Sequence, residues 1–133
     1  MYEGYLLKVG INTIPFDYLR ADTYKVTYNG QDIDSYRDAD GSLHRNAINH
    51  FVPKVEFNTP YLDNAQMQTL LRLIRSQYLD TVEKKVSVKC YVPELDDYLT
   101  QDMYVPDIEF QIFKADAEGN IIYNETRIAF IGY

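Results

Sequence analysis

Most of this chain alternates apolar and polar residues with a period of two. Tyr5, Leu7 and Val9 alternate with Leu6 and Lys8, and Tyr24, Val26 and Tyr28 with Lys25 and Thr27. Phe51, Val55 and Phe57 share one parity, with Lys54 and Glu56 on the other. Val86, Val88, Cys90 and Val92 alternate with Lys85, Ser87, Lys89 and Tyr91. Ile108, Phe110 and Ile112 alternate with Glu109 and Gln111, and Ile128 and Phe130 come near the end. One apolar face at period two predicts half-buried antiparallel strands. Turn signals separate them at Asn29-Gly30, Asp40-Gly41, residues 93–97 and Glu118-Gly119-Asn120.

One stretch breaks this rule. Met67, Leu70, Leu71, Ile74 and Tyr78 recur every three or four residues, which is a helical stripe. Asp63 is placed to be the N-cap, Gln66 completes a capping box, and Leu62 and Met67 sit at the positions of a hydrophobic staple. Pro60 prevents an earlier start. The expectation is a mainly β, α+β fold: an antiparallel β-sandwich or small barrel flanked by a single α-helix at about 63–80, with a long hairpin or loop at about 29–50. With 133 residues and 15.6 kDa, the folded surface should be about 7,000 Å², enough for one core. No linker, low-complexity tract or internal repeat divides the chain, so residues 1–133 read as a single domain.

Composition excludes several classes. Twenty acidic against 13 basic residues give a net charge of −7, which argues against sequence-specific nucleic-acid binding. One cysteine excludes an intramolecular disulfide and a cysteine-based zinc site. The start lacks a basic, then apolar leader, and no apolar run is long enough to span a bilayer, so synthesis in a bacterial cytoplasm is expected. The 13 Tyr and 6 Phe, without Trp, suit half-buried strands and interfaces.

Candidate chemistry is weak by comparison. Asp38-Ala39-Asp40-Gly41 has part of a calcium-loop pattern. In that register, however, Tyr36 and Ala47 stand where two essential ligands belong, so the segment reads as a β-turn. Whether Asp38 and Asp40 hold a weak cation stays open. His44 and His50 are the only histidines and have no zinc motif around them. Cys90 falls on the apolar parity of its strand and reads as core packing. Glu94, Asp96, Asp97 and Asp102 resemble paired catalytic carboxylates, but they gather around a predicted hairpin tip rather than in an apolar pocket. No catalytic residue, cofactor or metal ligand is assigned.

Residues 29–50 are the most distinctive segment, with both signs of charge, weak periodicity and a central Asp-Gly turn. Two readings stand side by side. It is either a projecting hairpin that mediates assembly or an ordinary surface loop. Tyr36, Arg37, Asp38, Asp40, Gly41, His44 and Arg45 are the assembly candidates.

The opening Tyr-Glu-Gly-Tyr-Leu-Leu-Lys-Val strand, the loop at 36–45, the run at 54–62 leading into the helix and the segment at 124–131 resemble a small family of uncharacterised proteins. These are encoded among the tail genes of phages and prophages of Gram-positive, clostridia-like bacteria. The order of elements is similar to the tail-tube and distal-tail fold. That resemblance implies a β-sandwich or barrel with one helix, a long loop reaching a neighbour, rings that are usually hexameric, and an acidic lumen past which DNA slides. The connecting loops here are shorter than in many tube subunits, apart from 29–50. The resemblance therefore leaves tube, distal-tail ring, completion factor and baseplate accessory all open. It implies a non-enzymatic structural protein of a phage or prophage tail, partnered by itself and by other tail proteins, in the virion tail. The alternative is a carbohydrate-binding or protein-inhibitor β-sandwich module. The two are separated by whether Tyr91, Tyr98 and Tyr104 line a concave groove or spread along a flat surface.

Overall fold

Buried side chains fall where the alternation puts them. The computed structural model describes the backbone of residues 1–32 and 35–133, and the side chains of 1–30, 35–47 and 51–133. The strands are β1 (Leu7–Val9), β2 (Asn12–Thr13), β3 (Lys25–Asp32), β4 (Tyr36–Arg37), β5 (Leu43–His44), β6 (Ala47–Asn58), β7 (Leu62–Asp63), β8 (Lys85–Val92), β9 (Asp97–Tyr104), β10 (Ile112–Ala115), β11 (Ile121–Tyr123) and β12 (Arg127–Gly132). A helix, α1 (Asn64–Arg75), separates β7 from β8. The expected α+β, mainly β architecture is what the chain adopts. All the strand pairings described are antiparallel.

A seven-stranded sheet runs in the order β2-β1-β8-β9-β12-β6-β3, with a three-stranded sheet β10-β11-β7 and a two-stranded one, β4-β5. The large sheet curls on itself in a sandwich-like way, bringing Cα atoms of β3 and β8 within 8 Å. Tyr24 pins this curl. Its hydroxyl donates to the carbonyl of Tyr91 at 2.7 Å, across the β1–β8 pair. Val86, Val88, Cys90 and Val92 of β8 point into the curl, with Leu7, Val9, Val55, Phe57, Met103, Ile128 and Phe130. The helix adds Met67, Leu70 and Ile74 to the same core, and Leu71, Leu73 and Tyr78 pack at its margin. No helix among the described residues is long and apolar enough to cross a membrane.

The capping box forms as read. Asp63 accepts from the Gln66 N–H at 2.9 Å and Gln66 Oε1 accepts from the Asp63 N–H at 3.1 Å. Leu62 and Met67, the staple pair, are both buried. The far end differs from the expected 80, because α1 stops at Arg75. Asp80 accepts from the N–H groups of Val82 and Glu83, and Leu79 and Asp80 bond Lys85. This turn draws the chain back into β8, and residues 76–79 must leave the helix to reach it.

Two more expectations need correction. Asn29-Gly30 is not a turn. Both residues continue β3, opposite Val52 and Phe51, and the register shift falls just after Gly30. The strand expected at 108–112 is displaced, because residues 105–111 carry no regular structure and β10 begins at Ile112. Pro106 has no N–H to give a ladder, and here the chain crosses from the large sheet to the small one.

Two substitutions test this account. Asp63→Ala should cost about 1 kcal/mol in urea unfolding, as loss of an N-cap does. Tyr24→Phe should also cost about 1 kcal/mol near neutral pH. Burial pushes the Tyr24 phenol well above its ordinary 10.0, so its contribution is intact below pH 10 and declines as pH rises above it. The gap between wild type and Tyr24→Phe should therefore narrow only above pH 10. A gap that closes on the acid side would contradict the assignment.

Candidate functional site

Residues 29–50 build a long arm from the edge of the large sheet. β3 and β6 pair from Lys25↔Glu56 to Gly30↔Phe51, then shift register to Gln31↔Ile48 and Asp32↔Ala47. Tyr28 and Phe51 stack across the ladder at 4.7 Å. Beyond them, β4 and β5 form a small hairpin, Tyr36↔His44 and Arg37↔Leu43. Every side chain from 35 to 47 is exposed. The described part of the segment is thus mostly paired strand, and Ile33, Asp34 and the side chains of residues 31–34 and 48–50, His50 among them, lie outside the described residues.

The arm's tip is held by its own polar groups. Asp38 Oδ1 accepts from the N–H groups of Asp40 and Ser42, at 3.0 and 3.1 Å, and Oδ2 lies 2.8 Å from His44 Nε2. Gly41 takes φ +82°, which its lack of Cβ permits, and its carbonyl accepts from Arg37 Nη1 at 2.9 Å. The His44 and Tyr36 rings stack at 4.8 Å, nearly parallel. Arg45 follows β5 on the same exposed arm. The sequence candidates Tyr36, Arg37, Asp38, Asp40, Gly41 and His44 are therefore brought together. What they make is a tip closed by its own contacts, with the exposed Tyr36 ring on His44 and the Arg37 guanidinium on the Gly41 carbonyl, and Asp38 is spent on the turn.

The other candidates are scattered. Cys90 is fully buried and burial pushes its thiol up to about 11, the opposite of a nucleophile's environment. Glu94, Asp96 and Asp97 sit at the β8–β9 turn, where Asp96 accepts from the Tyr91 hydroxyl at 2.7 Å. Asp102 stands apart from them on β9, 3.8 Å from Lys85 Nζ. The described residues contain no group of three or more His, Cys, Asp or Glu disposed to hold a metal ion.

Tyr91 and Tyr98 are cross-strand partners on the side of β8–β9 away from the core, and Tyr104 lies further along the same face of β9. Their rings meet other tyrosines: Tyr98 stacks on Tyr5 at 4.6 Å, Tyr91 meets Tyr98 edge-on at 5.5 Å, and Tyr104 meets Tyr133 at 5.7 Å. They spread along the sheet rather than line a concave groove. A concavity of about 440 Å³ lies elsewhere, between the end of α1 and the 107–110 segment, lined by Leu71, Ile74, Tyr78, Ile108 and Phe110 among others.

The turn read at Glu118-Gly119-Asn120 closes a second hairpin, whose exposure the sequence reading missed. β10 and β11 form a hairpin whose tip is folded by Asp116, which accepts from the N–H groups of Glu118 and Asn120. All four side chains of β10 are exposed, including Ile112 and Phe113. The signal was available in Phe110, Ile112 and Phe113, but it reads equally as a buried strand.

A model described as a family of unknown function (DUF6711) matches residues 1–133. The chain belongs to this family. No curated protein matches it in sequence. Two solved chains share its fold over 100% of its length and 96% of theirs. One is from the virion of a native gene transfer agent particle, at 14% identity and a TM-score of 0.52. The other is from the tail of an empty gene transfer agent particle determined with C6 symmetry, at 15% identity and a TM-score of 0.50. For this DUF6711 member the likeness establishes the fold.

The tip makes a pH prediction. Its hydrogen bonds, that to His44 first, hold the Asp38 carboxyl below its ordinary 3.8. The turn is therefore fully formed above pH 4 and loosens only as pH falls through that lower midpoint. In an NMR titration Asp38 should titrate below 3.8, and the amide shifts of Asp40 and Ser42 should follow it. A midpoint at or above 3.8 would contradict the tip geometry.

Proposed function

We propose that this chain is a non-enzymatic structural subunit of a phage or prophage tail, working by assembly with copies of itself into a ring and by contact with neighbouring tail proteins. The observation that carries the reading is the end-to-end fold match with a chain from a tail determined with C6 symmetry, which leaves no large part of either chain unmatched. The same likeness supports a six-membered ring and residence in the virion tail.

The shape of the molecule supports it. The accessible surface is 8276 Å², roughly 1,000 Å² above what a compact chain of this mass presents. The two hairpins add to that surface, with Tyr36, Leu43, Ile112 and Phe113 among the exposed large apolar side chains. The arm at 29–50 carries Tyr36, Arg37 and Arg45 outward, residue types favoured at interfaces. The flat spread of Tyr91, Tyr98 and Tyr104 weighs against the carbohydrate-binding alternative, which needs a groove.

Light scattering across a concentration series tests the reading. Wild-type chain should form an oligomer of defined mass. Tyr36→Ala/Arg37→Ala, which touches no core residue, should weaken it by at least about tenfold, the effect of losing hot-spot side chains. A monomer at every concentration that also binds no other tail protein would sink the proposal.

A further inference from the structure

The groove between the end of α1 and the 107–110 segment joins apolar walls to charge. Leu71, Ile74, Ile108 and Phe110 form the walls, and Arg75, Lys84 and Asp107 line the same space of about 440 Å³. Asp107, whose side chain is fully exposed, is 3.5 Å from Lys84 Nζ. Arg75 has no ion pair among the described residues. Tyr78, also in the lining, reports the field inside. Burial raises its phenol, and the charges that oppose the rise are Lys84 and Arg75, both positive. The acids Asp80 and Glu83 act on Tyr133 instead. Glu109 stands exposed between Ile108 and Phe110 and is not part of the lining.

The far end of the β8–β9 ladder carries the complement. The two strands pair from Lys85↔Tyr104, beside the groove, to Val92↔Asp97. At about 3.4 Å per residue the ends stand roughly 24 Å apart, too far for a chain to fill its own groove. The turn at 93–97 sets three acids, Glu94, Asp96 and Asp97, around Leu95. Its side chains are exposed, that of Leu95 by 46%. The Leu95 and Asp96 N–H groups donate to the carbonyls of Val92 and Pro93, at 3.0 and 3.1 Å, and Asp96 holds φ +47°. This bonding keeps Leu95 at the tip. Asp96 accepts from the Tyr91 hydroxyl, and the Met1 amine lies 4.0 Å from Asp97. Glu94 has no ion pair among the described residues.

We propose that the β8–β9 turn of one copy seats Leu95 in the groove beside α1 of the next, with Glu94 meeting Arg75. An apolar side chain on an acidic turn suits a recess whose walls are apolar and whose unpaired charge is positive. Docking takes Leu95 and the exposed edge of Phe110 out of water. Two copies of an acidic chain repel overall, so a contact between them has to set a cation against an acid, and this one does. Tip and groove are different parts of one chain. The contact is therefore head-to-tail, the kind that closes into a ring or extends as a filament. This inference rests on the reading of the chain as an assembling subunit, and the experiment separates the two.

Sedimentation velocity on the full chain, a tip variant, Glu94→Lys/Leu95→Ser, and a groove variant, Arg75→Glu, decides it. Circular dichroism confirms that each variant folds, and Arg75→Gln takes the place of Arg75→Glu if the latter does not. Each variant alone should lose self-affinity by at least about tenfold. An equimolar mixture should form 1:1 pairs at near wild-type affinity, because the intact tip of the groove variant meets the intact groove of the tip variant. Wild-type assembly by both variants would overturn the docking and leave the assembly reading standing. Weakening of only one variant would overturn it too, because the affected surface then meets something else, and so would a mixture that does not recover. A wild-type chain that is monomeric at every concentration would overturn the docking, and the assembly reading with it if no other tail protein binds.

Discussion

Strand β12 holds the molecule together. Arg127 to Ile131 pair with Asn58 to Lys54 of β6, while Ile131 and Gly132 pair with Tyr104 and Met103 of β9. On one side of it lie β6, β3 and the long arm, and on the other β9, β8, β1 and β2. Without β12 these are two separate pieces of sheet, neither with a complete core. Ile128 and Phe130 insert into the centre of that core. A side chain at Gly132 would meet Pro53 Cδ at 2.7 Å, so only glycine lets β12 come this close to β6. The buried Thr126 and Thr59 fasten the start of the strand through paired backbone and hydroxyl hydrogen bonds.

A fixed β12 also makes the projections possible. The arm at 29–50 is the free end of the β3–β6 ladder, and β6 is anchored over five residues by β12. The β10–β11 hairpin is anchored differently, by Ile122 and Tyr123 on β7 and by the Tyr123 hydroxyl donating to Asn64 Oδ1 at the helix start. Two mounts on one core carry these exposed hairpins.

The core was legible in the sequence because its signal is redundant. Val86, Val88, Cys90 and Val92 repeat at period two and all are buried, and Asp63 with Gln66 marks the helix start by chemistry that works locally. The errors arose where apolar residues do not report burial in this chain. Phe110 and Ile112 alternate like a half-buried strand yet stand exposed, because alternation records that a face is apolar and not what covers it. Asn29-Gly30 suits a tight turn, but the register between β3 and β6 is set by long-range pairing, which overrides a dipeptide preference. Of the candidate site, the residues at 36–44 were located as a group.

Electron cryomicroscopy of the concentrated, purified chain is the most direct test of the central claim that this fold works as a ring-forming subunit. The account predicts closed rings of identical subunits, with both hairpins ordered against neighbours. A field of isolated monomers, with the arm at 29–50 and the β10–β11 hairpin in contact with nothing, would contradict it.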